Sequence, residues 1–233
     1  MNEVVNGLLS LPSAKRPALA ALPWGTGADL PRGLGLERGP EAAVARLLRR
    51  HPWAIDVAAA TFRGHDGLPT SRYFANVADA GLGGRVVERV NRRSKAAGGF
   101  ASFLEAILAS FWSYEQPELT VCVDGVLRHQ GRVASVVVAN GCYFAGGMRI
   151  APQARFSDGM LDVVVVGDVG RGDLIANLPR LYRGTHLNHP KVSAYRGRRL
   201  VIEGEAPLEM DGESTGWSPL EVRVEPGALR ILV

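Results

Sequence analysis

Met210-Asp211-Gly212-Glu213 places two carboxylates on either side of a glycine. Such a corner leaves the acid free of neighbouring bulk, and a carboxylate within hydrogen-bond reach of an alcohol can serve as its base. Asp-Gly is also the pair that tight hairpin turns prefer. The chain contains four such pairs, at 66–67, 124–125, 158–159 and 211–212, so a simple turn competes with chemistry at each. Gly25-Thr26-Gly27-Ala28-Asp29 is a second candidate. Two glycines let backbone amides approach an anion, Thr26 adds a hydroxyl, and a helix starting near Asp29 would favour negative charge, all of which suits phosphate. By itself the triplet reads more simply as a glycine-rich turn. The third candidate is the irregular piece between two apolar runs, where Ser157-Asp158-Gly159 brings an acid next to a sheet edge.

These residues need elements to hold them. The runs over 134–140 and 160–166 are near-continuously apolar and β-branched, as expected of strands buried on both faces. Before them the pattern predicts a helix over 2–11 stopped by Pro12 and a short strand over 19–22. A further helix over 41–51 carries Ala43, Val44, Leu47 and Leu48 on one face. Residues 55–80 read as one hairpin turning at Asp66-Gly67, and the change from helix-rich to strand-rich composition puts a domain boundary near Trp53, giving 1–52 and 53–233. Helices over 83–95 and 99–114 follow. The second has a broad aromatic face suited to packing on a sheet or to lining a greasy ligand. A hairpin around Asp124-Gly125 comes next, and later a helix over 174–182 that breaks or bends at Pro179. Five short strands over 192–195, 200–203, 208–210, 220–224 and 229–233 complete an antiparallel sandwich or barrel-like sheet.

Composition narrows the partners. The formal charge is +4, but the arginines are scattered rather than gathered in one stripe, which argues against nucleic acid. A modest basic face suits transient contact with an anionic membrane surface, worth about 1 kcal/mol per well-placed charge. No apolar run reaches the roughly 18 residues of a membrane span, and the first residues do not form a secretory signal. Cys122 and Cys142 lack metal-ligand spacing and read as buried, reduced thiols of a cytoplasmic protein.

Taken together, LPWGTGADLPRGLGL, VVVANGCYFAGGMRIAPQARFSDGMLDVVVV and LEMDGE resemble the diacylglycerol kinase catalytic family, bacterial-type lipid kinases related to sphingosine kinases. The resemblance covers essentially the whole chain. It implies an α+β protein, with an N-terminal α/β nucleotide-binding domain followed by an antiparallel β-sandwich with flanking helices, and an active site in the cleft between them. It assigns Asp211 as catalytic base with Glu213 as its companion, and Gly25, Thr26, Gly27 and Asp29 to nucleotide phosphate. It also implies a structural Mg²⁺ site made by Asp158 with the backbone carbonyls of Arg155 and Met160, an oxygen-only set that suits this ion. ATP would be the phosphoryl donor and a lipid alcohol such as diacylglycerol the acceptor, by direct transfer. Asp211→Asn is accordingly expected to abolish lipid phosphorylation while leaving folding intact.

Two departures from the pattern qualify these implications. Ala28 stands where the family has asparagine. The family's Gly-Gly-Asp-Gly-Thr cradle would immediately precede Asn2-Glu3-Val4-Val5-Asn6-Gly7-Leu8, so the first domain reads as a remnant of the nucleotide domain. A native form extended at its N-terminus is the leading expectation. The alternatives are a lipid-binding or regulatory module without a complete ATP site, and a kinase of a sphingoid base or other lipid alcohol. The expected setting is cytoplasmic with peripheral membrane contact; edge strands could pair two copies as a homodimer.

Overall fold

The computed structural model describes residues 1–23, 28–92, 109–110 and 114–233. In chain order the elements are α1 (Asn2–Leu9), α2 (Asp29–Gly33), α3 (Pro40–Arg49), β1 (Pro52–Gly64), β2 (Pro69–Phe74), β3 (Val77–Gly81) and α4 (Leu82–Arg92). Then come β4 (Glu118–Val123), β5 (Val126–Ala139), β6 (Leu161–Gly167), α5 (Arg171–Arg183), β7 (Val192–Gly197), β8 (Arg199–Glu203), β9 (Pro207–Met210) and β10 (Glu213–Leu232). The result is the expected mixed α+β protein with a sheet-rich C-terminal part.

The two valine-rich runs explain its centre. In β5 and β6, Val136, Val137 and Val138 stand opposite Val165, Val164 and Val163 in antiparallel register. Side chains alternate across a strand, so Val136, Val138, Val163 and Val165 enter one core while Val137 and Val164 enter another with Ile150 and Ala151. Both faces are dry, which is why neither run shows a polar alternation. Each such valine is worth about 1.5–3 kcal/mol of burial.

The strand pairs are antiparallel, and they close a ring. β10 pairs β8, β8 pairs β4, β4 pairs β5, β5 pairs β3, β3 pairs β9, and β9 returns to β10. β1 with β2 extends from β10, and β6 with β7 extends from β5. The ring brings β3 and β9 together, and these strands carry the site.

The first residues share a core with this sheet. Val5, Leu9, Leu30 and Leu34 pack with Ile55, Val57, Leu229 and Ile231.

Several elements differ from the pattern-based expectation. Residues 19–22 form no strand; Leu19 makes a single parallel bridge to Ile231, through its N–H to the Arg230 carbonyl and its carbonyl to the Leu232 N–H. The hairpin over 55–80 turns as expected at Asp66-Gly67, where the Asp66 carboxylate accepts the Leu68 N–H, but its return arm breaks at Ala75-Asn76 into β2 and β3. β5 continues unbroken from the Asp124-Gly125 turn. α5 runs through Pro179, and the carbonyl that loses its partner belongs to Ile175 on a turn exposed to solvent. The last two strands are one strand: residues 226–228 bulge between the pairs Ile55↔Leu229 and Val57↔Glu225, and the Asp56 carboxylate takes the Gly227 N–H there. In α3 the buried residues are Ala43 and Arg46, whose guanidinium donates to the carbonyls of Glu37 and Ala21. Val44, Leu47 and Leu48 are exposed. The expected helix over 99–114 falls almost entirely outside the described residues.

Candidate active site

Asp211-Gly212 is a two-residue hairpin loop, with Met210 and Glu213 paired on either side. Both loop residues have positive φ, 51° and 87°, the geometry that favours Asp-Gly. This turn folds the Asp211 carboxylate back onto the break between β2 and β3. Oδ1 accepts the N–H groups of Asn76 (2.9 Å) and Val77 (3.1 Å). Oδ2 accepts the N–H of Ala75 (2.9 Å) and the Asn2 side-chain amide (3.1 Å). Burial pushes the Asp211 carboxyl up from its ordinary range, and these four donors oppose the shift. Three of the donors are fixed backbone; only Asn2, at the start of α1, is a side chain. Glu213 lies in the same hairpin but turns to Arg72, at 2.8 Å.

Asp29 opens α2 and ties it to the segment between β5 and β6. Its Oδ2 accepts the Gly146 N–H at 2.8 Å, and its Oδ1 pairs with Arg32. Arg32 lies over the Tyr143 ring, and the Tyr143 carbonyl accepts from Asn76, the residue that also donates to Asp211. A continuous set of contacts thus joins Asp29 to the Asp211 corner. Gly25, Thr26 and Gly27 lie outside the described residues.

The Asp158 turn is the third candidate, and it lines an open pocket of about 500 Å³ with Pro152, Gln153, Ala154, Arg155 and Arg196. Asp158 Oδ1 accepts the Met160 N–H at 3.1 Å, while Oδ2 pairs with Arg196. Arg196 also reaches Asp162, whose carboxyl burial pushes up and Arg196 pulls down. A divalent ion held by Asp158 and the carbonyls of Arg155 and Met160 would compete for the Asp158 carboxylate with Arg196, which is shared with Asp162. Among the described residues no cluster of three acidic, histidine or cysteine side chains is arranged for a metal. The melting temperature of the protein is therefore expected to be equal in Mg²⁺ and in chelator. Arg196→Ala should cost roughly 1 kcal/mol, a half-exposed ion pair, and should make melting Mg²⁺-dependent. A wild-type melting temperature that falls on chelation would restore the metal reading.

The sequence reading passes over the acids and amides that frame these residues. Asp56 is buried in β1; its carboxylate accepts the N–H groups of Gly159 (2.7 Å) and Gly227 (2.8 Å). Asn140, fully buried, donates to the carbonyls of Asp56 and Ala75. Asp79 and Glu209 are buried in β3 and β9. The available signal was a lone polar residue inside an apolar strand, as in Ala54-Ile55-Asp56-Val57 or Val77-Ala78-Asp79-Ala80, since a buried polar group is kept only with partners. Cys122 and Cys142 are free, and half-buried rather than buried.

Residues 1–60 match the diacylglycerol kinase catalytic domain, and residues 76–233 match the YegS C-terminal NAD kinase beta sandwich-like domain. A Chromohalobacter salexigens protein named "Probable lipid kinase YegS-like" is 31% identical over 242 residues, spanning 98% of this chain and 71% of that protein. A Staphylococcus carnosus diacylglycerol kinase is 28% identical over 225 residues, spanning 94% of this chain and 68% of that protein. The crystal structure of a diacylglycerol kinase from Bacillus anthracis superposes with a TM-score of 0.69 over 99% of this chain and 71% of that one, at 21% identity, a likeness of fold. A sandwich-like sheet, a DGE hairpin folded onto it and matching models over both parts of the sequence lead to one conclusion: the chain belongs to the diacylglycerol kinase and YegS-like family of lipid kinase-like phosphotransferases.

Proposed function

We propose that the protein transfers the γ-phosphate of ATP to the hydroxyl of a diacylglycerol-like lipid at the Asp211 corner. The observation that carries this reading is the asymmetry of the donors on Asp211: three immovable backbone amides and one side-chain amide, from Asn2. A substrate hydroxyl that takes the place of Asn2 would donate to Oδ2 while the backbone keeps the carboxylate in orientation. The lipid oxygen then attacks the γ-phosphorus, the bond from that phosphorus to the bridging oxygen breaks, ADP leaves with the electron pair, and Asp211 accepts the hydroxyl proton. A carboxyl raised by burial is better matched to that task at neutral pH than an ordinary aspartate.

In this reading residues 1–52 contribute the nucleotide side and 53–233 the lipid side. Gly25, Thr26, Gly27 and Asp29 serve nucleotide phosphate, with the Asp29 carboxylate held by the Gly146 N–H. Glu213 holds Arg72 beside the corner. ATP enters as its Mg²⁺ complex, and the lipid is met at a membrane surface. Among the described residues no helix is long and apolar enough to cross a membrane.

The test is incubation of the purified chain with γ-labelled Mg·ATP and diacylglycerol in mixed micelles, with a sphingoid base in parallel. Label in the diacylglycerol product is the expected result. Label only on the sphingoid base would change the substrate, and lipid binding without transfer would replace catalysis by a binding role.

A further inference from the structure

Two carboxyls beneath the proposed catalytic corner have no part in the reaction just described. Asp79 in β3 and Glu209 in β9 are direct partners in the antiparallel register, so their side chains leave the same face of the sheet within reach of each other. Both are buried, Asp79 at 2% exposure and Glu209 at 5%. Asp79 accepts the Ser135 hydroxyl at Oδ2, whereas its Oδ1 is buried with no hydrogen-bond partner. Glu209 Oε2 accepts the N–H of Gly212 at 2.8 Å, the residue next to Asp211. Two facing carboxylates in such a site cannot both stay charged without forcing one side chain away.

We propose that Asp79 and Glu209 form an acid pair that keeps one proton between them at neutral pH and, through the bond from Gly212 N–H to Glu209, positions the Asp211 corner. The inference deepens the kinase reading and rests on it for its catalytic consequence. The groups that face the pair among the described residues are Ser135 from β5, the Gly83 N–H from α4, Tyr114, and Asp211 with the Gly212 N–H from the hairpin. Arg85, whose charge acts on Tyr114, pairs with Glu88. The space is made by glycine: a Cβ at Gly83 would lie 2.7 Å from the Asp79 carboxyl. Burial pushes Asp79 up to about 7 and Glu209 further still, in line with a retained proton.

Glu209→Gln and Glu209→Ala separate positioning from mere packing. Glutamine accepts the Gly212 N–H with its oxygen and donates its amide to Asp79, imitating the protonated partner. Its kcat for lipid phosphorylation is expected within about twofold of wild type, while alanine should lower kcat about tenfold or more with little change in KM. Wild-type kcat should decline at alkaline pH as the retained proton leaves, and the glutamine variant should stay level. A glutamine variant as impaired as alanine, or one with the wild-type alkaline limb, overturns the proposal. Infrared titration decides the pair independently of activity. The carbonyl stretch of an un-ionised carboxylic acid should persist in the wild type at about pH 8 and vanish in Glu209→Gln. Its absence from the wild type, or its survival in the variant, removes the shared proton. If the wild type phosphorylates no lipid, the kinase reading fails alone, and the infrared band still confirms or removes the acid pair.

Discussion

Asp211→Asn is expected to destabilise the protein by roughly 2–5 kcal/mol, because an amide cannot accept four hydrogen bonds and each buried donor left unmet costs about 1–3 kcal/mol. Whichever way the new side chain is turned, its NH₂ faces two donors. In one orientation they are the N–H groups of Asn76 and Val77; in the other they are the Ala75 N–H and the Asn2 amide. This expected loss differs from the sequence-based expectation that the variant stays intact. The carboxylate that reads as a reactive group is also the clamp that holds α1, the β2–β3 break and the hairpin together. Urea denaturation of variant and wild type measures the effect, with phosphorylation normalised to the folded fraction. A variant within about 0.5 kcal/mol of wild type, an ordinary surface-substitution result, would mean the clamp is not structural. Activity lost beyond the unfolded fraction is the part that belongs to chemistry.

Asp79→Asn should act in the opposite direction and stabilise the protein at alkaline pH. Its carboxyl is raised from 3.8 to about 7, with burial as the largest cause and the bonds from Ser135 and Gly83 opposing it. The folded state therefore holds a proton that the unfolded chain has released. Between about pH 4 and pH 7 the unfolded state binds fewer protons, so stability falls as pH rises, and above about pH 7 the loss is complete. Three units correspond to about 4 kcal/mol. Asparagine keeps an oxygen for Ser135 and Gly83 and carries no titrating charge. Its stability curve should be flatter over this range and should lie above wild type by up to that amount at about pH 8. Parallel curves for the two proteins would show that Asp79 does not bear the cost of burial in its charged form.

The two experiments report on neighbouring acids with opposite needs. Burial raises both carboxyls, but Asp211 meets four donors that an amide in its place cannot all receive, whereas Asp79 is short of donors and gains when its charge is removed. The same hairpin connects them, since Glu209 lies opposite Asp79 and precedes Asp211 by two residues. A corner built this way has its orientation set from both sides of the turn.

Local pattern was enough for the parts of this protein whose physics is local. Consecutive valines in 136–138 and 163–165 suit strands buried on both faces, and each Asp-Gly pair reads first as a tight reversal, so the central strands and turns were legible. The three motifs in order were also enough for the family. What depended on partners distant in sequence was decided by the tertiary structure. Pro226-Gly227 looked like the end of a strand, but the Asp56 carboxylate, 171 positions away, satisfies Gly227 and lets β10 pass as a bulge. The apolar stripe of α3 looked like a core face, yet it is Arg46 that finds buried carbonyl partners. Asp158 offered oxygen for a cation, and the fold supplied Arg196. Asp79 and Glu209 are 130 positions apart and became a pair only when the ring of strands closed β3 against β9. Sequence alone determines which residues can bear charge or turn the chain. Which charges must share one dry space is set by strand pairing across the whole length, and that is a property of the fold.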